Sequence, residues 1–294
     1  MSIEIRPART YDDCLAAEAL QKAVWGLPDV DVVPGHLLIT AAKNGGLLLL
    51  AFDHAQAGNL ESAQGADVGG ARPEPAQGSR PVGFVFGFLG LTPTGRLKHC
   101  SHMAGVLPAY RDRSVGYRLK LAQREHVLAQ GIELITWTFD PLEARNASLN
   151  FRKLGAVCRT YLVNLYGEMR DALNVGLPSD RFEVAWWIAG RRVVDRLAGA
   201  DPSPVDLPDA ALPTQGAWPA PPESALAAGQ DRLWVPIPAD FQALKAADAA
   251  LAWRWRLFTR RVFQEAFAGG YTVVDFVRRG ALGYYLLARE KLSR

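Results

Sequence analysis

The sequence predicts a mixed α/β protein, one sheet flanked by helices, with a C-terminal strand–helix–hairpin extension. Three observations predict it. Strand-like and helix-like hydrophobic patterns alternate from Ile3 to Ile188, an order that builds a mixed sheet with helices on its faces. Glycine breaks such as Asn44-Gly45-Gly46 and Gly131 separate the patterns. A proline-rich stretch then isolates a last segment in which strand and helix patterns return.

The elements follow in order. Ile3 to Arg6 alternate apolar and charged residues and read as a strand. Thr10 offers an N-cap hydroxyl with Asp13 placed as its capping-box partner. Leu15, Ala16, Ala19, Leu20, Ala23 and Val24 then give a helix that Gly26-Leu27-Pro28 ends. A second helix starts at Pro34 and stops before Asn44. Leu47–Phe52 and Val82–Leu89 read as strands. Residues 55–80 between them are rich in Gly, Ala, Gln and Pro and read as an elongated hairpin loop, with a lid as the functional alternative.

Leu97–Val106 reads as a strand, Ser114–Gln130 as a helix, and Ile132–Phe139 as a strand. Asn146–Leu154 is a short helix closed by Gly155, and strands follow at Val157–Leu165 and Phe182–Ile188. Residues 200–230 carry seven prolines between Pro202 and Pro222 and read as a linker or wrapping arm. Beyond it come a strand at Leu233–Ile237, one helix over Phe241–Phe267, and a hairpin of Tyr271–Val277 with Gly283–Ala288. The expected domains are therefore 1–199, a linker over 200–230, and an appendage over 231–294.

Composition narrows the partners. The 294 residues are 49% hydrophobic and 21% charged, and the net charge is only +3. A nucleic-acid binder would show a concentrated basic stripe. The one candidate, the helix with Arg254, Arg256, Arg260 and Arg261, alternates with Trp253 and Trp255 and reads as aromatic-inward, arginine-outward packing. Cys14, Cys100 and Cys158 are widely spaced and offer no metal-ligand pair, so reduced thiols and no metal are expected. The N-terminus lacks an apolar signal core, and no run approaches the roughly 18 uncharged apolar residues of a membrane span. A cytoplasmic protein without a membrane partner is expected. The long linker permits a homodimer without requiring one.

One segment carries chemistry. Val106-Leu107-Pro108-Ala109-Tyr110-Arg111-Asp112-Arg113-Ser114-Val115-Gly116 joins a strand to a helix. Short residues at Ser114 and Gly116 let the backbone approach a ligand, and a helix start presents unpaired N–H groups and a positive dipole end. Arg111 and Arg113 add charge-assisted donors.

This segment resembles the central motif of the GNAT superfamily of N-acyltransferases. In that family a strand ending in Val-x-Pro leads into Arg/Gln-x-x-Gly-x-Gly/Ala and a long helix. Val106, Pro108, Arg111 and Gly116 match, and Ser114 stands at the first glycine. Downstream, Asn146 and Phe151-Arg152-Lys153-Leu154-Gly155-Ala156 resemble the family's second motif. The resemblance covers about residues 1–190. It implies an acyl-CoA co-substrate, most simply acetyl-CoA, whose pyrophosphate is held by the amides from Arg111 through Asp112, Arg113, Ser114 and Val115 to Gly116. It implies that backbone groups near Gly105, Val106 and Leu107 pair with the pantetheine arm, and that Asn146 and Phe151 lie at the cofactor. It also implies direct attack by an uncharged amine; a small amine, an amino acid and a protein N-terminus all stay open as the acceptor.

Phe151 stands where many members carry a proton-donating tyrosine, so Tyr161, Tyr166 or water would have to serve. The proton acceptor is given by no motif. His102, on the strand entering the loop and on the same face as Cys100 and Ala104 by alternation, titrates in the useful range. Asp140 and Glu143, past the end of the next strand, are the other candidates. A GNAT-fold protein that binds acyl-CoA and catalyses nothing is the rival reading.

Overall fold

The computed structural model describes residues 2–54, 79–169, 171, 173–200, 207, 212–223 and 230–289. They fall into two compact units, Met1–Gln130 and Gly131–Arg294. The division lies inside the stretch read above as one domain. Most of the expected 55–80 loop and much of 200–230 lie outside the described residues.

The first unit is a three-layer arrangement. Strands β1 (Ile3–Pro7), β2 (Leu47–Asp53), β3 (Arg80–Leu91) and β4 (Leu97–Val106) pair antiparallel in sequence order. Helices α1 (Tyr11–Trp25) and α2 (Gly35–Lys43) cover one face, and α3 (Val115–Ala129) covers the other. Strand β2 shows why both faces are dry: Leu48, Leu50 and Phe52 face α1 and α2, while Leu47, Leu49 and Ala51 face α3. Such a strand reads as a continuous apolar run because alternation puts each side chain against a helix.

Helix α1 begins at the expected capping box, with Thr10 accepting from the Asp13 amide and Asp13 from the Thr10 amide. Its buried face differs from the expected one. Asp13, Cys14, Ala17, Leu20 and Gln21 are buried, while Leu15, Ala19 and Ala23 are exposed. Gln21 can lie inward because its amide bonds both backbone groups of Val33, at 3.1 and 2.8 Å.

The second unit holds β5 (Leu134–Phe139), α4 (Ala144–Ala147), β6 (Val157–Leu162), β7 (Arg181–Trp187), α5 (Arg191–Leu197), β8 (Thr214–Gln215) and β9 (Trp218–Pro219). It continues with β10 (Arg232–Pro238), α6 (Phe241–Ala247), α7 (Ala249–Ala268), β11 (Thr272–Arg279) and β12 (Leu282–Ala288). Its main sheet has the order β5-β7-β6-β11-β12-β10, so strands from both sides of the proline-rich stretch share one sheet. A short β8–β9 ladder lies within that stretch. Edge strand β10 carries Pro236 and Pro238, which lack the N–H that would recruit another strand. Helix α5 was not signalled by the sequence reading, being only seven residues long after Gly190.

The single helix expected over Phe241–Phe267 is two. Asp248 leaves helical geometry and caps α7 through its carboxylate, which accepts from the Leu251 amide at 2.9 Å. The inward-aromatic, outward-arginine pattern is also corrected. Trp255 and Arg256 are buried, whereas Trp253 is 42% exposed. Among the described residues, no helix is long and apolar enough to cross a membrane.

Candidate functional site

The first unit holds both the strand-to-helix motif and His102, on the strand that leads into it. From Val106 the chain passes through Pro108–Tyr110, a single 3-10 turn, into four exposed residues and then α3. Buried Tyr110 and Val115 bracket the exposed Arg111, Asp112, Arg113 and Ser114. Asp112 (φ 62°) and Ser114 (φ 59°) both hold left-handed backbone that glycine adopts without penalty. For a residue with a Cβ this costs roughly 1–2 kcal/mol.

Ser114 is the N-cap of α3, yet its side chain makes no capping hydrogen bond. The first-turn amides have no acceptor within the helix, so Val115, Gly116 and Tyr117 present donors at its positive end. A Cβ on Gly116 would meet only Val106 Cγ2, at 3.8 Å, so packing does not require glycine there. Uncapped amides and an open approach beside Gly116 fit a pyrophosphate. Asp112 lowers the charge of the Arg111–Arg113 stretch to +1, which is less basic than two arginines alone.

Of the three residues expected to meet a pantetheine arm, one has its backbone turned outward. The Leu107 amide donates to the Val82 carbonyl at 2.9 Å, which fixes the alternation of β4. Gly105 and Leu107 therefore point their backbone groups at β3, and the Val106 N–H and C=O point away from it. Gly105 serves packing: a Cβ there would stand 3.0 Å from Phe84 and 3.1 Å from Trp25, whose rings meet edge-to-face.

Strand β4 bulges at His102. Met103 opposes Phe86 and Ser101 opposes Gly87, leaving His102 without a partner on β3. The bulge breaks the two-residue alternation assumed from sequence. His102 keeps the face of Cys100 but shares it with Met103, and Ala104 falls to the other. The imidazole lies beside Phe86 and Phe88, with ring centroids 6.2 and 5.8 Å away. Partial burial against these rings lowers its pKa, so at neutral pH it is an uncharged base with an exposed edge.

Below β4, on the α3 face, His99, Ser101, Lys120 and Gln123 form a buried polar cluster. Lys120 Nζ donates to Ser101 Oγ at 2.8 Å and to Gln123 Oε1 at 3.2 Å, and the Gln123 amide reaches His99 Nε2 at 3.0 Å. Desolvation lowers Lys120 to about 7 and His99 to about 4. The sequence reading missed Lys120 and Gln123. Their three-residue spacing on α3, beneath His99 and Ser101 two apart on β4, was the available signal.

In the second unit the remaining candidates take structural positions. Burial raises the Asp140 carboxyl, but buried Arg256, with Arg181 3.7 Å away, more than offsets this and holds it below the usual range. Arg256 grips Asp140 through both terminal nitrogens. A carboxylate so paired is a poor proton acceptor, and Asp140 is corrected to an ion-pair anchor. Glu143 bonds Gln242 of α6, and burial, then Asp140, raise its pKa. Asn146 is exposed on α4. Phe151 is fully buried among Phe139, Phe182 and Tyr285, so its ring is core and offers no cofactor surface.

The proton-donor alternatives also separate. Tyr161 already donates to Asp180 at 2.8 Å, and desolvation with that bond pushes its phenol far up. Tyr166 is 49% exposed, with its hydroxyl 2.8 Å from Thr138 Oγ1.

No family model and no curated protein matches the chain. Solved structures do resemble it. An Arabidopsis thaliana NAA60 in complex with a bisubstrate analogue is 14% identical over 63% of this chain and 98% of its own, at a TM-score of 0.46. The ribosomal-protein-S18-alanine N-acetyltransferase from Escherichia coli is 13% identical over 65% and 97%, at 0.42. An acetyltransferase of the GNAT family from Streptococcus pneumoniae is 14% identical over 63% and 98%, at 0.45. Two of the solved structures that resemble it are described as acetyltransferases of the GNAT family. At this level of likeness, the chemistry of the chain has to be read from its own residues.

Proposed function

We propose that this protein is an acyl-CoA-dependent N-acyltransferase that uses acetyl-CoA or a related thioester. The observation that carries the reading is the Arg111–Gly116 turn: an uncapped helix start, flanking arginines and space beside Gly116. Arg111, Arg113 and the amides from Ser114 to Gly116 hold the pyrophosphate, and the outward backbone of Val106 receives the pantetheine arm. The thioester supplies an activated acyl group.

An uncharged amine, of a small molecule or an amino acid, attacks the thioester carbon. The carbon–sulfur bond breaks, the thiolate takes the electron pair, and the amine proton passes to His102, directly or through water. A neutral imidazole suits that step because its pKa lies below neutral pH. Water returns a proton to sulfur, since a thiolate is a good leaving group without help.

A second reading, acyl-CoA binding without turnover, is favoured by buried Phe151 at the family's tyrosine position. One variant separates the two. His102→Ala is expected to lower kcat by about 10²–10⁴ while CoA affinity holds, measured by acyl-transfer assay and calorimetry. Unchanged kcat would remove His102 from the chemistry. Binding without any turnover across an amine library, in the wild type, would establish the second reading.

A further inference from the structure

The 111–114 turn lacks the freedom that glycine would give it. Asp112 and Ser114, with φ of 62° and 59°, hold the left-handed backbone with side chains attached. Such conformations persist where the surroundings over-determine them. The following end is fixed by Val115, which is buried against the sheet with Leu119. The preceding end is fixed by Tyr110, only 6% exposed, whose ring joins the same cluster as Leu47, Leu49 and Val82.

Tyr110 does more than fill space. Its hydroxyl donates to Asp53 Oδ2 at 2.9 Å, and Asp53, the last residue of β2, is itself 3% exposed. Phenylalanine would fill nearly the same volume without burying an oxygen. A buried hydroxyl on a buried carboxylate forfeits water on both sides and holds only while the bond is made. The bond joins residues 57 apart in sequence and ties the turn directly to the sheet. Arg113 lies over the Tyr110 ring at 5.4 Å, which joins the turn to the tether's own side chain.

We infer that Tyr110 is a positioning residue, whose bond to Asp53 holds the strained 111–114 turn in its anion-binding conformation before the ligand arrives. The inference rests on the CoA-binding reading above and adds how that site is preorganised. Without the tether the turn relaxes toward ordinary negative φ, and binding must restore the strained form. Glycine at position 114 removes the strain at that residue, so it should matter more once the tether is gone.

The test is a four-corner cycle on the full-length protein, titrating CoA by calorimetry into wild type, Tyr110→Phe, Ser114→Gly and the double variant. Tyr110→Phe is expected to weaken CoA by about tenfold. The double variant should recover most of that loss, a coupling that simple core damage would not produce. Amide hydrogen exchange at residues 111–114 should quicken in Tyr110→Phe. Where that variant folds poorly, Asp53→Asn, which keeps an acceptor oxygen, should give a smaller loss in the same direction. Equal CoA affinity of wild type and Tyr110→Phe, or the same effect of glycine in both backgrounds, would overturn the tether. A wild type that binds no CoA overturns the proposed function itself, a different and distinguishable result.

Discussion

Lys120 sits in an environment far from what its side chain prefers. Its ammonium lies under β4 among Ser101, Gln123 and His99, and desolvation lowers its pKa from 10.5 to about 7. An unfolded chain keeps that proton to a much higher pH than the fold does. The fold is therefore penalised near and below pH 7, and the penalty is relieved as pH rises from about 7 towards 10.5. Stability should gain up to roughly 1.4 kcal/mol per pH unit from this group. Urea unfolding at pH 7, 8 and 9 should show the gain in wild type relative to Lys120→Met, which lacks the group. Parallel pH profiles of the two proteins would contradict it. Gly87 belongs to the same arrangement, since a Cβ there would stand 2.3 Å from His99 Nε2. The spacing of these residues hints at the cluster, but only packing α3 on a strand about twenty residues away brings them together.

At the scale of elements, most strands and helices were legible and their faces less so. The capping box at Thr10, the glycine stops and the apolar strand β2 are local signals, and the chain follows them. The face of α1 was misread because Gln21 lies inward, and it does so only because the Val33 backbone receives it. The bulge at His102 likewise depends on β3 and cannot be read from β4 alone. On α7 the arginines were placed outward by polarity, yet Arg256 is buried against Asp140 and Arg260 bonds Asp180 at 2.9 and 3.0 Å. Removing one member of a buried pair strands the other charge. Arg256→Met should therefore destabilise by about 3–5 kcal/mol, read from chemical unfolding. Adding Asp140→Leu should restore much of it, because two apolar side chains replace two buried charges. A double variant as unstable as the single one would show that the pair holds more than its own charges.

For the whole molecule, the sequence boundaries at 199 and 231 followed composition, whereas compactness follows strand pairing. The described part of the proline- and alanine-rich 200–230 stretch is laid along α7: Trp255 Nε1 donates to the Pro219 carbonyl at 2.9 Å, and Arg254 to Gln215 at 2.6 Å. The order β6-β11-β12-β10 pairs β6 with β11, more than a hundred residues further along the chain, which no window of sequence records. The candidate site was legible because its loop is a local strand–turn–helix motif. The rejected members, Asp140 and Phe151, were those whose roles depend on distant elements, α7 for one and β12 for the other. The central claim is that the Arg111–Gly116 turn binds acyl-CoA, and calorimetric titration of CoA into wild type and the Arg111→Ala/Arg113→Ala double variant tests it most directly. Saturable one-site binding is expected in wild type, weakened in the variant by about 1–3 kcal/mol for each arginine removed. No binding by wild type, or the same affinity in both proteins, would contradict it.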